Sequence, residues 1–334
     1  MGLVSQAFRE SDLQRLEGHI AIGHTRYSTT GSNRPENAQP IIAKNGGLEI
    51  ALAHNGNVIN ARELRAALLE QGVAFSTSTD SEVIAQMFVN SAGETIEERI
   101  ANSMRRLQGA YSLTVLTDDT LIGIRDPRGV RPLCIGTLND GWIIASESCA
   151  LDHLGATFLR EIDPGETVII NDQGLRSVKY PWKLPAAAPC VFEYIYFSRP
   201  DSLLGGRSNY LSRVEMGKRL AKEHPVDADI VIGVPDSATA AAVGYSQESG
   251  IPFSEGLVKN RYVGRTFILP DQRLRELGVR RKLNYLPQIL EGKKVVVVDD
   301  SIVRGTTTPH VVKLLNKGGA KEIHFRICSP PIIS

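Results

Sequence analysis

The run VVVVDDSIVRGTTTP, from Val295 to Pro309, constrains this chain more than any other stretch. Four consecutive valines show no polar alternation, so they predict a strand covered on both faces. Such a strand belongs in a mostly parallel sheet flanked by helices. Asp299 and Asp300 then fall at its carboxyl end, where open α/β sheets bind ligands. Ser301, Arg304, Gly305, Thr306, Thr307 and Thr308 follow, and Pro309 suits the first turn of a helix. Free N–H groups at a helix start, hydroxyls and a guanidinium together make an anion cradle. Two carboxylates just upstream suit ribose hydroxyls or a hydrated Mg²⁺, which takes few protein ligands. A threonine cap would explain Thr308 and Pro309 alone, but not the acid pair, the Arg and the Gly. No GxxxxGK motif is present, so this is not a P-loop.

The flanking pattern agrees. Asp229 to Val234 reads as a strand, followed by Pro235-Asp236-Ser237 and an alanine-rich helix ending near Gly250. Lys294 to Val298 is a strand, Pro309 to Asn316 a helix stopped by Gly318-Gly319, and Glu322 to Cys328 another strand. Alternating β and α elements predict crossover connections. Between the two loops, Val258 to Asn284 holds eight basic residues, Lys259 and Arg261 among them, against Asp271 and Glu276. Its charge, length and location suit a mobile basic loop closing over a polyanion. A solvated basic face and a nucleic-acid patch are the rivals.

The first half is different. Residues 20–23 and 48–53 read as strands, Ala61 to Gly72 as a helix, and Asp80 to Val89 as a second helix with an acidic first turn. Strands follow at 111–117, 121–125, 142–146 and 166–170, giving a strand-rich α+β domain. Residues 181–189, PWKLPAAAP, look like a linker. A length of 334 residues suits two domains, and 42% hydrophobic with 22% charged residues excludes disorder. No apolar run is long enough to cross a bilayer, and the first residues show no signal-peptide pattern. A net charge of +1 excludes a global basic field for nucleic acid. Cys134, Cys149, Cys190 and Cys328 are widely spaced, which suits a reducing cytoplasm and gives no disulfide scaffold.

The acid-pair run resembles the phosphoribosyl pyrophosphate (PRPP) loop of type I phosphoribosyltransferases. The resemblance implies that Asp299 and Asp300 contact ribose hydroxyls, and that Ser301 and Arg304 to Thr308 hold the 5′-phosphate. It implies that Asp236 and Ser237, with Lys259, Arg261 and Tyr262, face the pyrophosphate, and that Mg²⁺ is held with PRPP by Ser237, Asp299 and Asp300. Read alone, Asp236-Ser237 is a helix cap.

GHTRYSTTGS, LAHNGN and STDSE occur in the first half. Read singly, Arg26 is a surface ion pair, Asn55-Gly56 a hairpin turn and Asp80 a helix start. In this order they resemble the glutaminase domain of class II amidotransferases, an N-terminal nucleophile hydrolase of four αββα layers. That resemblance assigns Arg26 and Asp80 to the glutamine carboxylate and amino groups, Thr29 to the same pocket, and Asn55 and Gly56 to the oxyanion hole. The family nucleophile is an N-terminal cysteine. Here no Cys, Ser or Thr precedes Ser5, and the first cysteine is Cys134. The expectation is a domain over 1–185 lacking its N-terminal strands and inactive as a glutaminase. The second domain, 186–334, is expected to lack its C-terminal part. A chain with such missing strands is expected to be poorly stable alone.

Both halves together, with KNRYVGRTFI and EYIYFSRPDS, resemble the Bacillus-type branch of the glutamine PRPP amidotransferases. The resemblance implies the first step of purine biosynthesis: PRPP, glutamine and water give 5-phosphoribosylamine, glutamate and pyrophosphate. It implies feedback by AMP, GMP, ADP and GDP, a homotetramer, and no nucleic-acid or membrane partner. Many members of that branch carry an iron–sulfur cluster, and Cys190 matches its first ligand position. A non-enzymatic PRPP-sensing regulator is the alternative, but it needs a DNA-binding element that is not visible. A sugar-phosphate amidotransferase is disfavoured by the PRPP loop.

Overall fold

The computed structural model of the chain describes residues 4–26, 34–260, 283–303, 305 and 307–331. It divides into two compact units, Met1–Cys190 and Val191–Ser334. The first opens with two short turns, α1 (Val4–Ala7) and α2 (Glu10–Leu13). Its main sheet contains β1 (Ile41–Asn45), β2 (Leu48–Val58), β3 (Gly109–Leu116), β4 (Leu121–Arg125), β8 (Glu166–Asn171) and β9 (Gly174–Lys179), in that spatial order. Every neighbouring pair is antiparallel. A smaller sheet has β5 (Cys134–Leu138) between β6 (Gly141–Ala145) and β7 (Thr157–Glu161).

Strand alternation explains the layering. Leu52, Leu113, Ile122 and Ile124 turn to helices α3 (Ala61–Glu70), α4 (Asp80–Asn90) and α5 (Ile96–Met104), meeting Leu68, Ile84, Phe88 and Ile100. On the other face, Leu121 and Ile170 meet Ile135 of the small sheet, and Val168 meets Ile162. The outer side of β5 carries α6 (Ser148–Leu154). Leu151 of that helix lies so close that a Cβ on Gly136 would sit 2.8 Å from its side chain. The order is helix, sheet, sheet, helix, as the glutaminase resemblance implies.

Two expectations change here. Residues 20–23 form no strand. Ile20 and Ile22 pack against the Leu121–Ile135–Ile170 cluster without backbone pairing, which satisfies their alternation through side chains alone. The strand expected over 48–53 continues to Val58, because Asn55 and Gly56 stay in register with Ser112 and Tyr111 of β3. The proline-rich stretch is tied down: Ala188 N–H donates to Arg128 at 2.8 Å, and the Tyr180 and Trp182 rings stack at 4.4 Å.

The second unit begins with a π-helical turn, Glu193–Phe197, and a short hairpin of β10 (Leu203–Leu204) and β11 (Arg207–Ser208). Its parallel sheet places β15 (Lys294–Asp299) between β12 (Ile230–Gly233) and β16 (Glu322–Ile327). Val295 and Val297 face Leu290 of the short α9 (Pro287–Leu290) and Val311 and Leu315 of α10 (Thr307–Lys317). Val296 and Val298 face Leu220 of α7 (Asn209–Glu223) and Ala242 and Tyr245 of α8 (Thr239–Ser249). The four-valine run is thus buried on both sides. A separate ribbon pairs β13 (Leu257–Lys259) with β14 (Leu283–Tyr285).

Helices α7 and α8 cross at two glycines. A Cβ on Gly217 would lie 1.8 Å from the Ala241 carbonyl oxygen, and one on Gly244 1.9 Å from that of Val214. Gly217→Ala must therefore push the helices apart. It should lower unfolding stability by about 1–3 kcal/mol. A lower urea midpoint at unchanged slope is the expected readout.

Candidate functional site

In the first unit, the candidate residues gather at the carboxyl end of β2 and the start of α4. Thr79 caps α4, its side chain accepting from Glu82 N–H. Asp80 is the first helical residue and is buried; its carboxylate accepts from Val58 N–H at 3.0 Å. It therefore reaches across to the strand that carries Asn55 and Gly56. Asn55-Gly56 is no hairpin turn: both residues sit in the ladder with β3. Gly56 admits no side chain, since a Cβ would lie 2.1 Å from the Ala110 carbonyl oxygen and 2.7 Å from His54 Nε2.

His54 joins these parts. Its Nε2 lies 3.4 Å from the Ala110 carbonyl, which can only accept, so that nitrogen carries the hydrogen. Burial holds the ring below its usual pKa, against the opposing charge of Asp80. In the neutral ring Nδ1 then accepts from Ser81 Oγ at 3.2 Å. Gln39 completes the chain: its Nε2 donates to Ser81 Oγ at 3.1 Å, and its Oε1 accepts from His54 N–H at 2.6 Å. His54 Nδ1 is 3.8 Å from the Asp80 carboxylate. His24 has its pKa pushed down to about 4 by burial, then by the charges of His54 and Arg26, which places Arg26 in the same neighbourhood. Thr29 lies outside the described residues.

Sequence reading overlooked His54, His24, Ser81 and Gln39. One signal for His54 was present: the phase that buries Ile50 and Leu52 also points His54 inward.

In the second unit, the candidates gather at the carboxyl ends of β12 and β15. Asp299 ends β15 and Asp300 follows it, and both are buried. The sheet explains this, since Cys328 N–H donates to the Asp299 carbonyl and Ser329 N–H to that of Asp300. Ser237 Oγ and Ser301 Oγ each donate to the Asp300 carboxylate at 2.5 Å. Ser237 is thus no helix cap; the cap of α8 is Ala238, with no side-chain hydrogen bond. Asp299 accepts from Asp300 N–H at 2.9 Å. Burial, then the charge of Asp300, pushes Asp299 up to about 7. The Cys328 thiol is pushed up to about 12, chiefly by burial. A small cavity below Ser237 and Asp300 is closed by Arg213, Met216 and Cys328.

Asp236 follows Pro235 through a cis peptide bond, and its carboxylate pairs with the Lys259 ammonium at the end of β13. Gly305 has φ +66 with open space around it, and Thr307 and Thr308 open α10. Arg304 and Thr306 lie outside the described residues, as do Arg261 and Tyr262 and the rest of residues 261–282. Cys190 is half-buried, and among the described residues no three His, Cys, Asp or Glu side chains cluster to hold a metal.

The pKa of His24 carries a pH dependence. Between pH 6.5 and about 4 the unfolded chain binds a proton there that the folded chain refuses. Its contribution to stability is whole above that window and is lost as pH falls through it. His24→Gln should therefore show a smaller drop in Tm on acidification from about pH 7 to about pH 4. An unchanged drop would contradict the assignment.

A glutamine amidotransferase domain family matches residues 24–153, and a phosphoribosyl transferase domain family matches residues 213–328. The amidophosphoribosyltransferase of Archaeoglobus fulgidus is 52% identical over 100% of this chain and 73% of its own length. That of Mycobacterium tuberculosis is 49% identical over 99% of this chain and 64% of its own. That of Bacillus subtilis is 49% identical over 99% of this chain and 70% of its own. The chain thus spans between 64% and 73% of the length of these three relatives. The solved structure of an allosteric regulatory enzyme of purine biosynthesis superposes with a TM-score of 0.92 at 48% identity, over 100% of this chain and 72% of that one. The B. subtilis glutamine PRPP amidotransferase, solved with ADP and GMP, gives 0.91 at 48% identity over 99% and 72%. The chain belongs to the amidophosphoribosyltransferase family, transferases of purine biosynthesis that pair a glutamine amidotransferase domain with a phosphoribosyltransferase domain.

Proposed function

We propose that this chain carries the substrate sites for the reaction of that family; the cysteine nucleophile that the glutaminase resemblance requires is not found ahead of Cys134 in it. Ammonia released from glutamine displaces pyrophosphate from C1 of PRPP and gives 5-phosphoribosylamine, the first step of purine biosynthesis. The observation that carries the reading is the Asp299–Asp300 pair. It ends a doubly buried strand, and Ser237 from the neighbouring loop is already bonded to it. Asp299 and Asp300 take the ribose hydroxyls. Ser301, Gly305, Thr307 and Thr308 turn the chain around the 5′-phosphate, at the start of an eleven-residue helix. Asp236 and Lys259 border the pyrophosphate.

The donor set also fits Mg²⁺. Two adjacent buried carboxylates are poorly offset, as the raised Asp299 shows, and Ser237 adds a third hard oxygen. When bound with PRPP, the ion stabilises negative charge on the leaving pyrophosphate. In the first unit, Arg26 pairs with the glutamine carboxylate and Asp80 with its amino group. Asn55 and Gly56 face the amide oxygen, and the neutral His54 spaces them from Asp80.

The same reading covers control and setting. Purine nucleotides act as inhibitors of the chain, a proposal supported by ADP and GMP in the B. subtilis structure. It works as a homo-oligomer in the cytoplasm. Among the described residues no helix is long and apolar enough to cross a membrane.

Calorimetric titration with PRPP and Mg²⁺ tests the reading. Asp299→Asn with Asp300→Asn should weaken binding at least about tenfold, since each charged hydrogen bond contributes about 1.5–3 kcal/mol. Because both acids are buried, a urea midpoint must accompany the titration. Unchanged affinity in a folded variant would remove the assignment.

A further inference from the structure

We propose that Asp236 is an intramolecular stand-in for the pyrophosphate group: it holds Lys259 while the site is empty and yields it when the diphosphate arrives. The inference rests on the PRPP reading above and goes beyond it by giving an acidic residue a place beside an anionic ligand. A carboxylate bordering a diphosphate is a puzzle if it only repels. The geometry resolves it. Asp236 stands in the loop after β12 and Lys259 at the tip of β13, so two separate segments are joined by one ion pair. The Asp236 side chain is 72% exposed and that of Lys259 32%. Water screens such a pair, which makes it weak and quick to exchange. Asp236 differs in this from Asp299 and Asp300, which are buried, and from Ser237, which is bonded to Asp300.

The exchange has a direction. A diphosphate carries more negative charge than one carboxylate, so it can outcompete Asp236 for the ammonium. The exposed carboxylate that it displaces turns to water at little cost. When pyrophosphate leaves, Asp236 recaptures Lys259, so the charge is never left unpaired. Asp236 therefore weakens the grip of Lys259 on the diphosphate by the strength of one exposed pair. It favours release of the product.

Inorganic pyrophosphate with Mg²⁺, titrated calorimetrically into the chain at low salt, tests this. Asp236→Asn should bind about two- to fivefold tighter than the unaltered protein, the range that one exposed ion pair supplies. Lys259→Met should bind more weakly. In the Lys259→Met background, Asp236→Asn should change nothing further, because there is no ammonium left to release. The tightening should also shrink at high salt. Unchanged or weaker binding by Asp236→Asn would overturn the proposal, as would tightening that persists without Lys259, which would make Asp236 a simple repeller. Failure of the unaltered protein to bind pyrophosphate at all would instead overturn the PRPP reading itself.

Discussion

Burying a carboxylate is costly unless hydrogen bonds or an opposite charge offset the loss of water, and both candidate sites are organised around carboxylates that are buried. The degree of offset separates structure from function. Glu82 accepts from the N–H and hydroxyl of Ser76 and from those of Thr77, at 2.7–2.9 Å, so it is fully satisfied and pins the entry to α4. Asp80, two residues earlier, takes the Val58 N–H and has a neutral imidazole beside it rather than a cation. Asp300 is served by two serine hydroxyls. Asp299 accepts from one backbone N–H, and burial with the charge of Asp300 beside it raises its pKa. A cation or a ribose hydroxyl would offset this, which is why an under-satisfied acid in a loop mouth marks a site and a satisfied one marks a scaffold.

Much of the second unit was legible because its chemistry is contiguous. Val295 to Val298 announce a strand buried on both faces, and the acids, Gly305 and threonines follow within one loop. Even there, the local sequence does not reveal that Asp299 and Asp300 are buried, because Cys328 and Ser329, which bond their carbonyls, lie on the neighbouring chain segment. Ser237 read as a cap for the same reason: its partner is 63 residues away. The first unit was harder. Asn55-Gly56 carries the strongest short hairpin signal, yet eight consecutive pairings with β3 hold it straight. His54, Ser81 and Gln39 matter only through contacts between β2, α4 and the segment before β1, and no local pattern encodes such contacts.

The two sites also solve opposite charge problems. Glutamine is a zwitterion with a neutral amide, so one acid and one base suffice at its head, and a further charge near the amide would be harmful. Burial favours the neutral forms of His54 and His24, which leaves Asp80 and Arg26 as the charged groups that the proposed glutamine site would use. PRPP is a polyanion, yet the described residues around its proposed site set Asp236, Asp299 and Asp300 against Lys259, with the nearby Arg213 guanidinium donating to the Tyr194 and Ser198 carbonyls. That balance cannot attract the ligand alone. On the proposed reading, further positive charge comes with the ligand as Mg²⁺, or from the basic residues that the sequence places between Val258 and Asn284. On the proposed reading, an acid-rich floor that needs a cation to bind an anion would discriminate for the metal-loaded substrate over bare phosphate, and would let the product go once that cation leaves with it.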